Sequence, residues 1–192
     1  MILLLCIAGT CAAQTKQAVP LAAYRQQYLN ELYSVIKGDT AYIRFFPENK
    51  QLVVEATVQL LAQQQPFRMT TSSGKSKEAV RYALLRFTIG GHSCELYVYQ
   101  LLKLKEKPET AGELFLPFTD RSNGGSSYAG GRYIDLNLND IRDGRITIDF
   151  NRAYNPYCAF TTGYNCPVPP GENALPVAIH AGERYLKNKF RH

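Results

Sequence analysis

From about residue 40 onward, short apolar runs with a period of two dominate the chain, and they leave little choice of fold. AYIRFF (41–46), QLVVEATVQLL (51–61), PFRMTT (66–71), AVRYALLRFTI (79–89), CELYVYQLL (94–102), GELFLPF (112–118), RYIDLNL (132–138) and RITIDF (145–150) are rich in β-branched and aromatic residues. Between them lie turn signals: Pro47-Glu48-Asn49, Ser72-Ser73-Gly74, Gly90-Gly91, Asn123-Gly124-Gly125 and Asp143-Gly144. Side chains alternate across a strand, so such runs bury one face and expose the other. The pattern predicts an antiparallel meander of about eight strands, curved or barrel-like, with a sandwich as the alternative. Gly90-Gly91 reads as a tight hairpin.

Ahead of the strands, LAAYRQQYLNELYSVIKG (21–38) places Leu21, Tyr24, Tyr28, Leu32, Val35 and Ile36 at intervals of mostly three and four. That predicts an amphipathic helix entered after Pro20 and stopped at Gly38. The fold class is therefore α+β and β-rich. The C-terminal LPVAIHAGERYL (175–186) suits strand or helix, and a final strand is the preferred expectation.

MILLLCIAGTCAA (1–13) has no charged side chain and ends in small residues. It reads as a signal peptide with the cut before Gln14, which would leave residues 14–192 as one exported domain, periplasmic or secreted. Its n-region offers only the amino terminus as positive charge. No apolar run is long enough for a transmembrane segment in the mature chain. The net charge of +6 gathers in LKLKEK (102–107) and RYLKNKFRH (184–192), without the motif of a nucleic-acid module, so no nucleic-acid partner is expected.

One stretch is neither strand nor ordinary linker. DFNRAYNPYCAFTTGYNCPVPPGEN (149–173) holds four Asn, three Tyr and four Pro but only three charged residues. Its prolines fix φ and remove donors, so the segment is stiff despite lacking periodicity. It also carries Cys158 and Cys166. An exported chain permits a disulfide between them, leaving Cys94 free. Two reduced thiols, or a Cys₃His zinc site with His92 and Cys94, are the alternatives, and the absence of a short C-x₂₋₄-C knuckle weighs against zinc. No metal and no cofactor is expected. The chain has no nucleophile elbow, zinc-protease helix, phosphate loop or dinucleotide fingerprint.

A second polar stretch, FLPFTDRSNGGSSYAGGRY (115–133), sets Asp120, Ser122, Ser126, Ser127, Tyr128 and Arg132 among flexible Gly pairs. Loops 117–132 and 150–173 are expected to close over one end of the sheet and form a pocket for a small polar or anionic ligand. The candidate ligand-binding residues are Asp120, Tyr128, Arg132, Asp149, Asn151, Tyr154, Asn155, Asn173 and Glu183. Arg132 would either fork onto one of the carboxylates Asp120, Asp149 and Glu183, or present that fork to an anionic ligand.

LFLPFTDRSNGGSSYAGGRYIDL, DFNRAYNPYCAFTTGYNCPVPPGENAL and AIHAGE, between residues 113 and 183, closely resemble the signature blocks of an uncharacterised bacterial and archaeal family, the domain of unknown function numbered sixteen eighty-four. ELYVYQ (95–100) fits the same pattern, and Ser122 and Ser127 stand where threonines are expected. The resemblance implies that Asp120, Tyr128, Arg132, Asp149, Asn151, Tyr154, Asn155, Cys158, Cys166, Asn173 and Glu183 belong to one shared feature. That feature is either a ligand pocket or a folding framework, and the family brings no agreed activity. The leading expectation is a small-molecule-binding module. A hydrolase using the Asp120 and Glu183 carboxylates, and a structural envelope protein without ligand, are the alternatives.

Overall fold

Alternation decides which side of each strand is buried, and matching those sides builds the sheet. The computed structural model describes residues 19–37 and 40–186. The expected leader, residues 1–13, lies outside the described residues. Seven of the eight predicted runs become strands: β1 Val53–Leu60, β2 Phe67–Thr70, β3 Ser76–Ile89, β4 His92–Leu101, β5 Glu113–Phe118, β6 Arg132–Asn137 and β7 Arg145–Asp149. They form a curled antiparallel sheet, a half-barrel in the order β6-β5-β4-β3-β1-β7. β3 carries β4 along one edge, while β1 and β2 share the other end to end.

The hairpin at Gly90-Gly91 pairs Ile89 with His92 and sets the register of the two longest strands. That register shifts between Arg81 and Ala83, where Tyr82 is the extra residue. A bulge of this kind bends a strand and increases its twist. Alternate residues of every strand but β2 fill the interior, among them Val54, Leu85, Leu96, Leu116, Ile134 and Ile148. The opposite face of β2–β5 is also apolar, with Met69, Ala79 and Tyr99 buried and Phe67, Tyr97 and Phe115 packed around them. A sheet with two apolar faces needs a cover on each.

The outer cover comes from non-strand segments. The predicted helix forms as α1, Leu21–Ile36, and buries Tyr28 and Leu32 against Ile43, Ala159 and Phe160. The run AYIRFF is therefore not a strand. It begins as a 3₁₀ turn at Thr40–Tyr42, and its Ile43 packs under α1. The segment 175–186 is likewise neither strand nor helix. Leu175, Ile179 and Ala181 plug the interior, while the carbonyls of Ile179, Ala181 and Glu183 receive hydrogen bonds from Arg132 rather than from a neighbouring strand. A buried guanidinium, with scattered backbone bonds to Thr119, Arg121, Phe46 and Arg44, stands in for a continuous ladder here, which period-two reading of the segment could not show.

Candidate functional site

Arg132 begins β6 immediately after Gly131, which sits at φ 88°. A Cβ on Gly131 would stand 2.6 Å from Pro169 Cγ and 2.7 Å from the Phe118 carbonyl oxygen, so the chain turns here only with glycine. The Arg132 side chain is fully buried. Nη2 donates to Asp120 Oδ2 at 2.9 Å and to Ile179 O at 2.8 Å, and Nη1 donates to the carbonyls of Ala181 and Glu183. Asp120 is closed in turn: its Oδ1 accepts from the backbone N–H of Ser122 at 2.8 Å and of Ile179 at 3.0 Å. Of the three expected carboxylate partners, Asp120 takes the fork. Neither side chain of the pair is exposed at all, so Arg132 has no face open to an anionic ligand.

Glu183 follows Gly182, whose Cβ would fall 2.5 Å from Ala153 O. Its Oε2 accepts from the Tyr28 hydroxyl at 2.7 Å and from Asn155 N–H at 2.7 Å, while Oε1 is buried without a partner. Burial pushes this carboxyl up to about 8, against the opposing hydrogen bonds from Asn155 and Tyr28. Asn173 clasps β4 and β5 together: its Oδ1 accepts from Tyr97 N–H, and its Nδ2 donates to the carbonyls of Tyr97 and Pro117. Asn151 makes the equivalent two-way clasp with the backbone of Asn49. Asp149 accepts from the Asn151 backbone at 3.0 Å and pairs with Arg152 Nε at 3.1 Å. Tyr128 stacks edge-on with Tyr185 at 5.1 Å. Loop 117–132 folds mainly on itself, with the Ser122 and Ser127 hydroxyls 2.7 Å apart.

The cavity lies elsewhere, on the outer face of the sheet. Cys158 and Cys166 form a disulfide with their Cα atoms 6.3 Å apart, and Cys94 stays free and buried in the interior. Among the described residues no cluster of His, Cys, Asp and Glu could hold a metal ion. The stapled loop is tied down by Ser72 N–H to Cys166 O at 2.8 Å, Val168 N–H to Thr70 O at 2.9 Å, and the Tyr133 hydroxyl to Pro167 O. Between this loop and strands β3–β6 runs a groove of about 550 Å³. Leu101, Phe115, Tyr133, Tyr154, Tyr157 and Tyr164 give it an aromatic and apolar lining, with Lys77, Glu113, Asp135 and Asn165 as polar points. A smaller pocket of about 120 Å³ adjoins it under α1 and shares Asp135, Tyr154 and Tyr157. Of the nine candidate ligand residues, Tyr154 alone lines this groove; its hydroxyl donates to Asp135 Oδ1 at 2.7 Å.

Closing this short loop stabilises the fold by restricting the unfolded chain. Replacing both Cys158 and Cys166 with Ala is expected to cost about 2–3 kcal/mol in urea denaturation. A cost below ~0.5 kcal/mol would mean that the prolines alone hold the loop.

The sequence profile of the family described as Protein of unknown function (DUF1684) matches residues 40–184. The chain belongs to this family. It is also similar to an uncharacterized protein of Haloarcula marismortui solved by solution NMR, at 32% identity over 85% of this chain and 93% of that one, with a TM-score of 0.65. No curated protein matches the sequence. The DUF1684 match begins after α1, so the helical wall of the smaller pocket stands outside the matched residues.

Groove residues Phe115 and Tyr133 are not among the sequence candidates. A signal existed for Phe115: in GELFLPF the second alternating set holds Phe115 and Pro117 beside Glu113, as expected of a strand covered on both sides. In RYIDLNL the second set, Tyr133, Asp135 and Asn137, is mostly polar and gives none. The polar DUF1684 signature residues drew attention instead, because buried and surface polar groups look alike in a sequence.

Proposed function

We propose that the protein is an exported binding module that takes a small amphipathic molecule in the groove between the outer sheet face and the stapled loop. The observation that carries this reading is the groove itself: aromatic rings over an apolar floor with a few polar groups at its rim. Ligand sites commonly have this composition, and tyrosines offer both an apolar body and a hydroxyl tip. Carboxylates outnumber ammonium groups along the lining, which favours neutral or cationic ligands over anionic ones. Export is supported by the disulfide, which persists in oxidising compartments, and by the apolar leader sequence. No helix among the described residues is long and apolar enough to cross a membrane.

In this reading the family's polar residues are the scaffold of the site rather than its contact surface. Arg132, Asp120, Asn173 and Glu183 hold the ends of strands and loops, and the disulfide holds the groove's wall. A purely structural protein would need the same scaffold, so the groove must be tested directly. Melting the protein against a library of small amphipathic compounds should give hits that stabilise it. Phe115→Ala, at the centre of the lining, should weaken those hits by about 1–2 kcal/mol. A library without a single hit, or hits indifferent to Phe115→Ala, would leave the structural reading standing.

A further inference from the structure

We propose that the small pocket beneath α1 is a cage for an alkylated ammonium group, and that it receives the charged head of a ligand whose body lies in the adjoining groove. The inference rests on the groove reading above and adds a chemical class to it. Four tyrosines line the pocket: Tyr24 and Tyr28 from α1, and Tyr154 and Tyr157 from the segment opposite. Glu31 and Asp135 add two carboxylates, Val19 and Gln27 complete the lining, and no Lys or Arg is among its residues. A ring face carries negative quadrupole density, so several rings around a cation recognise methylated ammonium better than a neutral group of the same shape. Two carboxylates add a negative potential within a partly enclosed space.

The cage is fixed before any ligand arrives. The Tyr24 hydroxyl donates to Arg152 O at 2.9 Å, Tyr28 to Glu183 Oε2 at 2.7 Å, and Tyr154 to Asp135 Oδ1 at 2.7 Å. These three hydroxyls are thus committed, and the rings of Tyr28 and Tyr154 stand 5.7 Å apart in a tilted pair. Rings held this way lose little freedom on binding. The protein already uses the same chemistry next door, where the Arg152 guanidinium lies 5.0 Å from the Tyr24 ring centre. That arginine is paired with Asp149, which limits its repulsion of a second cation. The pocket's volume of about 120 Å³ suits a compact head rather than a whole molecule, and Asp135, Tyr154 and Tyr157 connect it to the groove.

The test is titration of the folded, full-length chain with choline chloride, followed by tyrosine ring signals in NMR, against the neutral tert-butyl isostere of choline and against potassium chloride. Choline should saturate, with the isostere bound at least about tenfold more weakly and potassium without effect. Glu31→Gln, at a solvent-exposed residue of the lining, should weaken choline by about threefold or more while leaving the melting temperature close to that of the parent, and Tyr157→Leu should weaken it as much while the protein stays folded. Equal binding of choline and its isostere would reduce the pocket to a greasy recess and overturn the proposal. So would a choline effect reproduced by potassium chloride. If choline fails while library compounds still bind in a Phe115-dependent way, the ammonium cage is wrong and the groove reading survives. If both fail, both readings fall.

Discussion

Arg132→Ala is expected to destabilise the protein by about 3–5 kcal/mol, the loss seen when one partner of a buried ion pair is removed. The size follows from what the substitution strands. Asp120 keeps two backbone donors on Oδ1 but loses the cation opposite Oδ2, inside a site that neither side chain shares with solvent. The carbonyls of Ile179, Ala181 and Glu183 lose their Arg132 donors at the same time. Unmade hydrogen bonds at buried groups each carry a desolvation cost, so the loss extends beyond the ion pair. Arg132→Lys should recover only part of it, because a single ammonium cannot reproduce a planar fork across four acceptors. Urea denaturation with an unchanged slope would measure both changes. A loss under ~1 kcal/mol for Arg132→Ala would show that 175–183 is held by its apolar residues and its backbone bonds to Thr119, Arg121, Ala153 and Phe46, and that the framework assignment is mistaken.

The same residue shows how much of this molecule was legible beforehand. Strand positions, the helix and the stapled loop follow from local rules: period two, period 3.6, and a short cysteine spacing between prolines. Seven of eight predicted runs became strands because their alternation matched a partner's. AYIRFF failed because helix α1 claimed Ile43, a competition that no window of six residues contains. The segment 175–183 failed because its partners are scattered: backbone bonds run to Thr119, Arg121, Ala153 and Phe46, and the Arg132 side chain reaches Ile179 from 47 positions away. Sequence marked Arg132, Asp120, Glu183, Asn155 and Asn173 as belonging together, and the structure brings the first four to one end of the half-barrel, around the 179–184 segment. It could not tell a polar group that faces a ligand from one that faces its own backbone. The groove was hidden for the complementary reason: its residues are the outward set of ordinary strands, and only the packing of the stapled loop over them turns a face into a cavity.

Glu183 supplies a second large effect, and its sign runs opposite to that of most carboxylates. An ion-paired acid stabilises a protein when ionised. Glu183 has no such partner: Tyr28 and Asn155 N–H donate to one oxygen, while the other oxygen and Asn155 Oδ1 are both buried without partners. The Asn155 amide lies against this carboxyl. Burial penalises the carboxylate more than the Asn155 and Tyr28 hydrogen bonds stabilise it, so the carboxyl's affinity for the proton is raised to about 8 in the folded state. In the unfolded chain the same group titrates near ~4.3. Between those two values the folded state holds a proton that the unfolded state has released, so stability falls as pH rises. The slope contributed by one such group is at most about 1.4 kcal/mol per pH unit, and it vanishes below the unfolded value and above the folded one. Glu183→Gln is the direct comparison, because a glutamine keeps the shape of the carboxyl and an oxygen to accept from the Tyr28 hydroxyl and Asn155 N–H but cannot ionise. Subtracting the variant's stability from the parent's at each pH removes every other titrating group. That difference should move steadily against the parent from about pH 5 to pH 8, reaching several kcal/mol in favour of the variant. A difference that stays flat across this range would mean that Glu183 is ionised in the folded protein, with its charge stabilised by Arg132 through the shared carbonyl network.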